Sequence, residues 1–388
     1  MVSIDKSAIH LSRRGALAAA SAGSLLAMPW IRRSAAADGD TINIMGVETA
    51  ALDDWTAFEQ ETGLKVAFTG INSDPGLFQQ EIVANAAGDT TDIFLMDGGI
   101  QSTLGPKGYF MALDTTTLPG WDQLPDDLRH SPLLMGSDQK LYGIPAVLNA
   151  DSFAYYPDAI SEKEPLSLAL LFESEETMGK VGLENTWLTT LPMAATYMKV
   201  AKGATIGDPA NMTPAEAASV VDFLLERKRA GQFRLFWATF DESLDAMARR
   251  ETIVSNVWEP VVKQLNRDGK DVRYAATREG YNKWLIGAYV ASQVAERGNQ
   301  EVVQKALAGL LGGAYSARIA ELRGYGTAHP QLGLEYLKAH AGTPEQIQAV
   351  EANIVKIDQK FKAPLFWQNA APDNLRAIEA EWERLRQG

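Results

Sequence analysis

Hydrophobic positions in the first part of the chain switch between two periods. Thr41–Val47 alternates apolar and polar residues at strand spacing, and Leu52, Trp55 and Phe58 then recur at helical spacing up to Thr62, with Gly63 as a stop. Residues 64–68 predict a second strand, residues 77–87 a helix closed by Gly88, and residues 92–96 a third strand running into Asp97-Gly98-Gly99. Strand, helix, strand, helix, strand with short links predicts a parallel sheet flanked by helices. Ligands of such sheets sit beyond the carboxyl ends of the strands, which brings forward residues 46–50 and 97–101. Asp97-Gly98-Gly99 reads equally well as a plain turn.

Further on, residues 140–156 are extended, and residues 179–184 predict a strand that ends on an acidic residue. Thr213, Pro214 and Glu216 form a capping-box start for a helix ending at Gly231. Residues 236–243 precede a helix to Arg250, residues 252–258 predict an apolar strand, Glu259-Pro260 opens a helix, and residues 272–275 extend again. From Val290 the pattern is mostly helical, with another capping signal at Thr343-Pro344-Glu345. A second α/β unit inserted between an N-terminal α/β unit and a helical C-terminal region fits this order.

The beginning of the chain carries a different message. Ser12-Arg13-Arg14, a weakly apolar run over residues 15–31, and Ala35-Ala36-Ala37 have the order of a twin-arginine export signal, cleaved before Asp38. The apolar run is shorter than the roughly 20 residues that span a bilayer. Export removes five basic residues (Lys6, Arg13, Arg14, Arg32, Arg33) and one acidic one (Asp5), so a formal net charge of -13 becomes -17. A surface this acidic argues against nucleic acid or anionic lipid as a partner. The chain has no cysteine, which excludes disulfides and thiolate chemistry. His130, His329 and His340 are scattered without ligand-like spacing, so no metal site is expected. About 350 residues after cleavage call for two domains.

Phe58-x-x-Glu61-Thr62-Gly63-Leu64-Lys65-Val66, Leu141-Tyr142-Gly143-Ile144-Pro145, Gly179-Lys180-Val181, Asn256-Val257-Trp258-Glu259 and Arg278-Glu279-Gly280-Tyr281 occur in this order across the chain. In these pieces it resembles the periplasmic solute-binding proteins of ABC importers, in particular the spermidine/putrescine-binding branch. The resemblance implies a two-lobed, type II Venus-flytrap α/β fold with a helical C-terminal region and hinge crossovers near residues 146–154 and 274–284. The expected division is residues 1–37 as signal, 38–148 with 276–388 as the first lobe, and 149–275 as the second. The resemblance further implies a monomer that captures a small solute, delivers it to an ABC permease in the inner membrane, needs no cofactor and catalyses no reaction.

Polyamine-type members hold an alkylammonium with aromatic rings and carboxylates, because a desolvated cation needs ring faces and counter-charge. By position in the motifs these roles fall on Trp258, Trp284 and Glu184, with Trp187 close behind; Glu259, Asp97, Glu48 and Tyr142 are further candidates. Each has a structural alternative. The tryptophans could be core residues, and Glu259 could simply offset a helix dipole. Where polyamine binders carry a carboxylate two residues past the second tryptophan, this chain has Ile286, which argues against a long polycation: either Glu259, directly after Trp258, substitutes as the counter-charge, or the solute is a smaller ammonium compound or an amino-acid derivative. A receptor that feeds a sensor kinase would carry the same fold and site. A periplasmic enzyme is the more distant alternative, since no dinucleotide fingerprint is present; Gly309 and Gly312-Gly313 read as a small-residue helix end.

Overall fold

The computed structural model describes residues 41–363 and 365–388; the expected export segment lies outside them. In chain order, β1 (Thr41–Val47), α1 (Thr56–Thr62), β2 (Lys65–Ile71), α2 (Pro75–Gly88) and β3 (Ile93–Asp97) follow the expected alternation. Then come β4 (Gly143–Asp151), β5 (Ala154–Tyr155), β6 (Val181–Glu184), α3 (Trp187–Lys202), α4 (Pro214–Arg229), β7 (Phe233–Trp237), α5 (Phe240–Ala248), β8 (Val254–Ser255), α6 (Glu259–Arg267) and β9 (Arg273–Tyr274). The chain continues through β10 (Tyr281–Val290), α7 (Gln300–Leu310), α8 (Gly313–Arg323), α9 (Pro330–Ala339), α10 (Pro344–Lys362), β11 (Leu365–Trp367) and α11 (Leu375–Gln387), with shorter helical turns between.

Local chemistry explains the boundaries. Gly63 ends α1 in the left-handed region (φ 71°), a conformation that costs glycine nothing. Thr213 and Glu216 close a capping box at α4, each accepting the other's backbone N–H. Gly309 lets α7 lie directly on α1, since a Cβ there would come within 2.3 Å of Thr62 Cγ2. The apolar stretch over residues 252–258 yields only the two residues of β8. Asn256 leaves the ladder because its side-chain oxygen accepts the Glu184 N–H (2.7 Å), and Pro260 commits the following residues to α6.

Two sheets result. The first has six strands, with β1 parallel to both β2 and β3. Its organiser is β10, which the hydrophobic period does not reveal, because all ten of its residues are buried and no alternation survives. One edge of β10 carries β4 antiparallel along nearly its whole length; the other carries β11 and then β3. The second sheet has five strands in the order β7-β6-β8-β5-β9. It is covered on one face by Leu183, Leu191, Val220 and Leu224 and on the other by Trp237, Val257, Val261 and Leu265.

The chain passes between the sheets three times: after β4, between β9 and β10, and after β11. The first two passages are laced together, with Ser152 Oγ donating to Ala275 O (2.6 Å) and the Ala275 N–H donating to Phe153 O (2.8 Å). The third departs from expectation. The expected division gives residues 276–388 to the first lobe, yet α11 packs in the second, where Ile378, Trp382 and Leu385 join the core of α3 and α4. Its amphipathic spacing shows only that one face must be covered, and distance along the chain does not say by which lobe. Trp382→Ala should therefore cost about 3–5 kcal/mol of second-lobe stability, read as a lower denaturant midpoint; an unchanged midpoint would remove α11 from that core.

Candidate functional site

Three strands end on carboxylates, and the fold gathers those ends. Asp97 is the last residue of β3, Asp151 of β4 and Glu184 of β6, so two come from the first sheet and one from the second. Asp97 faces Ile286 across the β3–β10 ladder, which places a carboxylate beside the position where the sequence lacks one. Asp151 Oδ1 accepts a hydrogen bond from Trp284 Nε1 (2.6 Å). Glu184 is fixed by the first turns of α3, with Thr189 Oγ1 donating to its Oε2 and Thr190 Oγ1 to its carbonyl (2.7 Å each).

Burial drives all three side chains toward the protonated form. Asp97 is pushed up to about 7 by desolvation and then by the charge of Asp151. Desolvation raises Asp151 to about 6, with the Trp284 hydrogen bond and Lys360 pulling the other way. Glu184 reaches about 8 through desolvation and the charges of Asp151 and Asp97, against the Thr189 hydrogen bond. Among the described residues no lysine or arginine counters Asp97 or Glu184. Each carboxylate nevertheless keeps some solvent exposure, so the group lines a crevice. Uncompensated carboxylates in such a place are stabilised by protons or by a counter-cation.

Aromatic rings surround it. Trp284, 8% exposed, meets Tyr325 edge to face (centroids 5.1 Å apart), and Tyr325 lies in the fields of Asp151 and Glu184. Trp237, paired with Glu184 in the β6–β7 ladder, is buried with its indole N–H unpartnered and meets the half-buried Trp258 edge to face (5.2 Å).

Residues 55–363 match the profile of the bacterial extracellular solute-binding proteins. The chain belongs to that family. A sequence comparison with curated proteins finds no match. Among solved structures, this solute-binding protein is similar to the spermidine/putrescine ABC transporter substrate-binding protein of Streptococcus pneumoniae (14% identity, 90% of this chain and 99% of that one, TM-score 0.65). It is similar also to a GABA receptor (19%, 89% and 96%, 0.62) and to a periplasmic binding protein of A. tumefaciens B6 in complex with glucopine (14%, 89% and 99%, 0.60). These likenesses establish the two-lobed fold.

The remaining candidates of this solute-binding protein are placed differently. Glu259 is 4% exposed and paired with both Lys356 and Lys360 of α10. Lys360 also donates to Asn149 Oδ1 (3.1 Å) and Ala150 O (3.0 Å), and Lys356 to Gly324 O (2.9 Å), so a second-lobe carboxylate is locked to the first lobe. Glu48 stands 91% exposed, with Arg323 Nη1 3.8 Å away. Tyr142 lies in the first core, its ring over Gly105 and Gly136 and its hydroxyl donating to Asp138 (2.9 Å). Trp187 packs at the edge of the second core. Asp151 and Tyr325 went unnoticed in the sequence; the acidic end of the extended 143–151 stretch was the available signal for the first. A separate cavity of about 630 Å³, lined by Ser102, Leu133, Lys199, Trp367 and Asp373 among others, shares no residue with the three carboxylates.

Two outcomes follow from the charges. Ordinary values are 3.8 for aspartate and 4.5 for glutamate, so the folded ligand-free protein holds protons that the unfolded chain has released. This stabilising contribution is complete below the ordinary values and is lost as pH rises through the raised ones, between about pH 5 and 8. Denaturant midpoints should fall over that window more steeply than in the Asp97→Asn/Glu184→Gln variant, a comparison that cancels His329, whose burial lowers its pKa; parallel profiles would contradict it. Glu259→Gln should cost about 3–5 kcal/mol by stranding the buried Lys360, and Lys360→Met in the same chain should recover much of the loss. Failure of that recovery would show that Glu259 acts elsewhere.

Proposed function

We propose that this solute-binding protein captures a small ammonium-bearing solute between its lobes and delivers it to an ABC permease. The observation that carries the reading is the convergence of Asp97, Asp151 and Glu184 from both sheets without a basic partner for Asp97 or Glu184. An ammonium placed there would receive counter-charge from both lobes at once, with the rings of Trp284 and Tyr325 beside it. Without a cation, bringing Glu184 up to Asp97 and Asp151 costs electrostatic work; with one, the same approach is favourable. Such a solute binds the closed arrangement better than the open one, which is the requirement for a ligand to shift that equilibrium. A permease would then read closure as a change of surface.

The similar structures support this reading: one is a spermidine/putrescine transporter's substrate-binding protein and another a GABA receptor. Trp258, Trp284, Glu184 and Asp97 remain the proposed ligand contacts from the sequence, joined by Asp151. Glu259 is proposed as an interlobe tie, and Glu48, Tyr142 and Trp187 as supports outside the contact set. Work in the periplasm after twin-arginine export, as a monomer, completes the proposal, with Ser12-Arg13-Arg14 and the extracellular family supporting the location.

Cation binding must displace the protons that the carboxylates hold near neutral pH. Titration of a stabilising amine at about pH 7, repeated in buffers of different ionisation enthalpy, should show net proton release, with affinity rising from about pH 6 to 8. Saturation at 100 times Kd should stabilise the protein by about 2.7 kcal/mol, and Glu184→Gln should remove most of both effects. Proton uptake, or stabilisation by anions alone, would overturn the amine reading.

A further inference from the structure

One ammonium group already sits between the lobes, and it belongs to the protein. It bears on which solute the crevice admits, an inference that rests on the amine reading. Lys356 and Lys360 stand one turn apart on α10, and each takes its own oxygen of Glu259, Lys356 at Oε2 and Lys360 at Oε1. Lys360 is 4% exposed, and its ammonium has three hydrogens to place. They go to Glu259 Oε1, Asn149 Oδ1 (3.1 Å) and Ala150 O (3.0 Å), while the nitrogen lies 4.4 Å from the centre of the Tyr274 ring. An ion pair alone would tie the lobes. A carboxylate, two neutral oxygens and a ring face together make the surroundings that a desolvated alkylammonium requires. They come from both sides of the crossovers, Asn149 and Ala150 from β4, Glu259 from α6 and Tyr274 from β9.

Strand register fixes where this seat lies. Side chains two apart on a strand share a face, and so do partners across a ladder. Asn149 and Asp151 of β4 therefore share a face with Trp284, the partner of Asn149, and Trp284 and Ile286 share it with Asp97, the partner of Ile286. The hydrogen bond from Trp284 Nε1 to Asp151 Oδ1 (2.6 Å) runs along that face. One face of the first sheet thus presents Asp97 on the β3 side and, on the β4 side, Asp151 and the Lys360 ammonium held by Asn149. Ser152, next after Asp151, donates its N–H to Tyr274 Oη (3.0 Å), which keeps the ring at the end of β4. Asp151 and Tyr274 both retain solvent exposure, so the seat adjoins the crevice.

We propose that Lys360 is a resident ammonium of the solute crevice: it holds, at Glu259 and Tyr274, the seat that one further ammonium of a solute would take, and so limits how many positive charges the solute carries. A solute that extends toward β4 with an additional ammonium meets a like charge there, and the acceptors that would receive it are already in use.

Three amines of increasing charge, n-pentylamine, 1,5-diaminopentane and spermidine, test this by thermal shift and calorimetry on the purified protein. The wild type should not bind spermidine more tightly than the two smaller amines. In Lys360→Ala, 1,5-diaminopentane or spermidine should bind at least about tenfold more tightly than in the wild type, with n-pentylamine changed much less. Lys360→Met removes the same charge but fills the seat with an apolar side chain, so it should show little of that gain. n-Propylamine, the part of the side chain that Lys360→Ala deletes, should raise the melting temperature of Lys360→Ala more than that of Lys360→Met, and n-propanol should not. Ligand-free melting temperatures report whether each variant folds. Equal behaviour of folded Lys360→Ala and Lys360→Met, toward n-propylamine or toward the polyvalent amines, would overturn the inference and leave the amine reading standing. A wild type that prefers spermidine would do the same without any variant. If no amine stabilises the wild type, the amine reading falls and the limit on solute charge falls with it, while the n-propylamine response of Lys360→Ala still reports the seat.

Discussion

Three desolvated carboxylates at the ends of strands from both sheets are the costly feature of this molecule, and much of its architecture bears on that cost. Charge in such a place is tolerated by proton uptake or by a counter-ion. Here Asp151 is partly offset by the Trp284 indole and by Lys360, whereas Asp97 and Glu184 are not countered by any basic group among the described residues. The crevice is thus least comfortable when empty, closed and deprotonated. A site that is strained without its ligand and relaxed with it couples occupancy to conformation without any moving part beyond the hinge.

The frame that imposes this proximity is β10. Its ten buried residues hold β4 on one edge and β11 and β3 on the other, so the carboxyl ends of β3 and β4 open on the same crevice. The peptide that follows β4 and the one that precedes β10 are hydrogen-bonded to each other where they leave the first sheet. Glu184 arrives from the second sheet already anchored by Thr189, Thr190 and Asn256, so it has little freedom to turn away. Preorganisation of this kind lowers the entropy lost when a ligand is gripped.

Against the repulsion in the crevice works the tie between Glu259 and the two lysines of α10, supported by Lys263 of α6, which donates to Glu321 O near the end of α8. These contacts join the lobes without any solute. Burial makes the Lys360 pair sensitive to loss of either partner, since the survivor would be left charged and desolvated. Repulsion among the carboxylates and ion pairing at Glu259 act in opposite senses on the approach of the lobes.

By itself the sequence determined the alternation of strands and helices up to Asp97, the caps at Thr213 and Thr343, the acidic end of β6 and the family to which the ordered motifs belong. Those are local properties, set by periodicity of two or 3.6 residues and by side chains that bond to their own backbone. It also put forward Asp97, because strand ends are where parallel sheets bind ligands, and Trp258, Trp284 and Glu184 through their positions in the family's motifs. Only the tertiary structure decided that Asp151 joins them, that Asp97 stands beside the Ile286 position where a carboxylate is missing, and that Glu259 is spent on lysines a hundred residues away in the chain. It alone placed α11 in the second lobe and Tyr142 inside the first core. The reason is the same in each case: charge and burial are set by neighbours in space, and strand register brings those neighbours from distant parts of the chain.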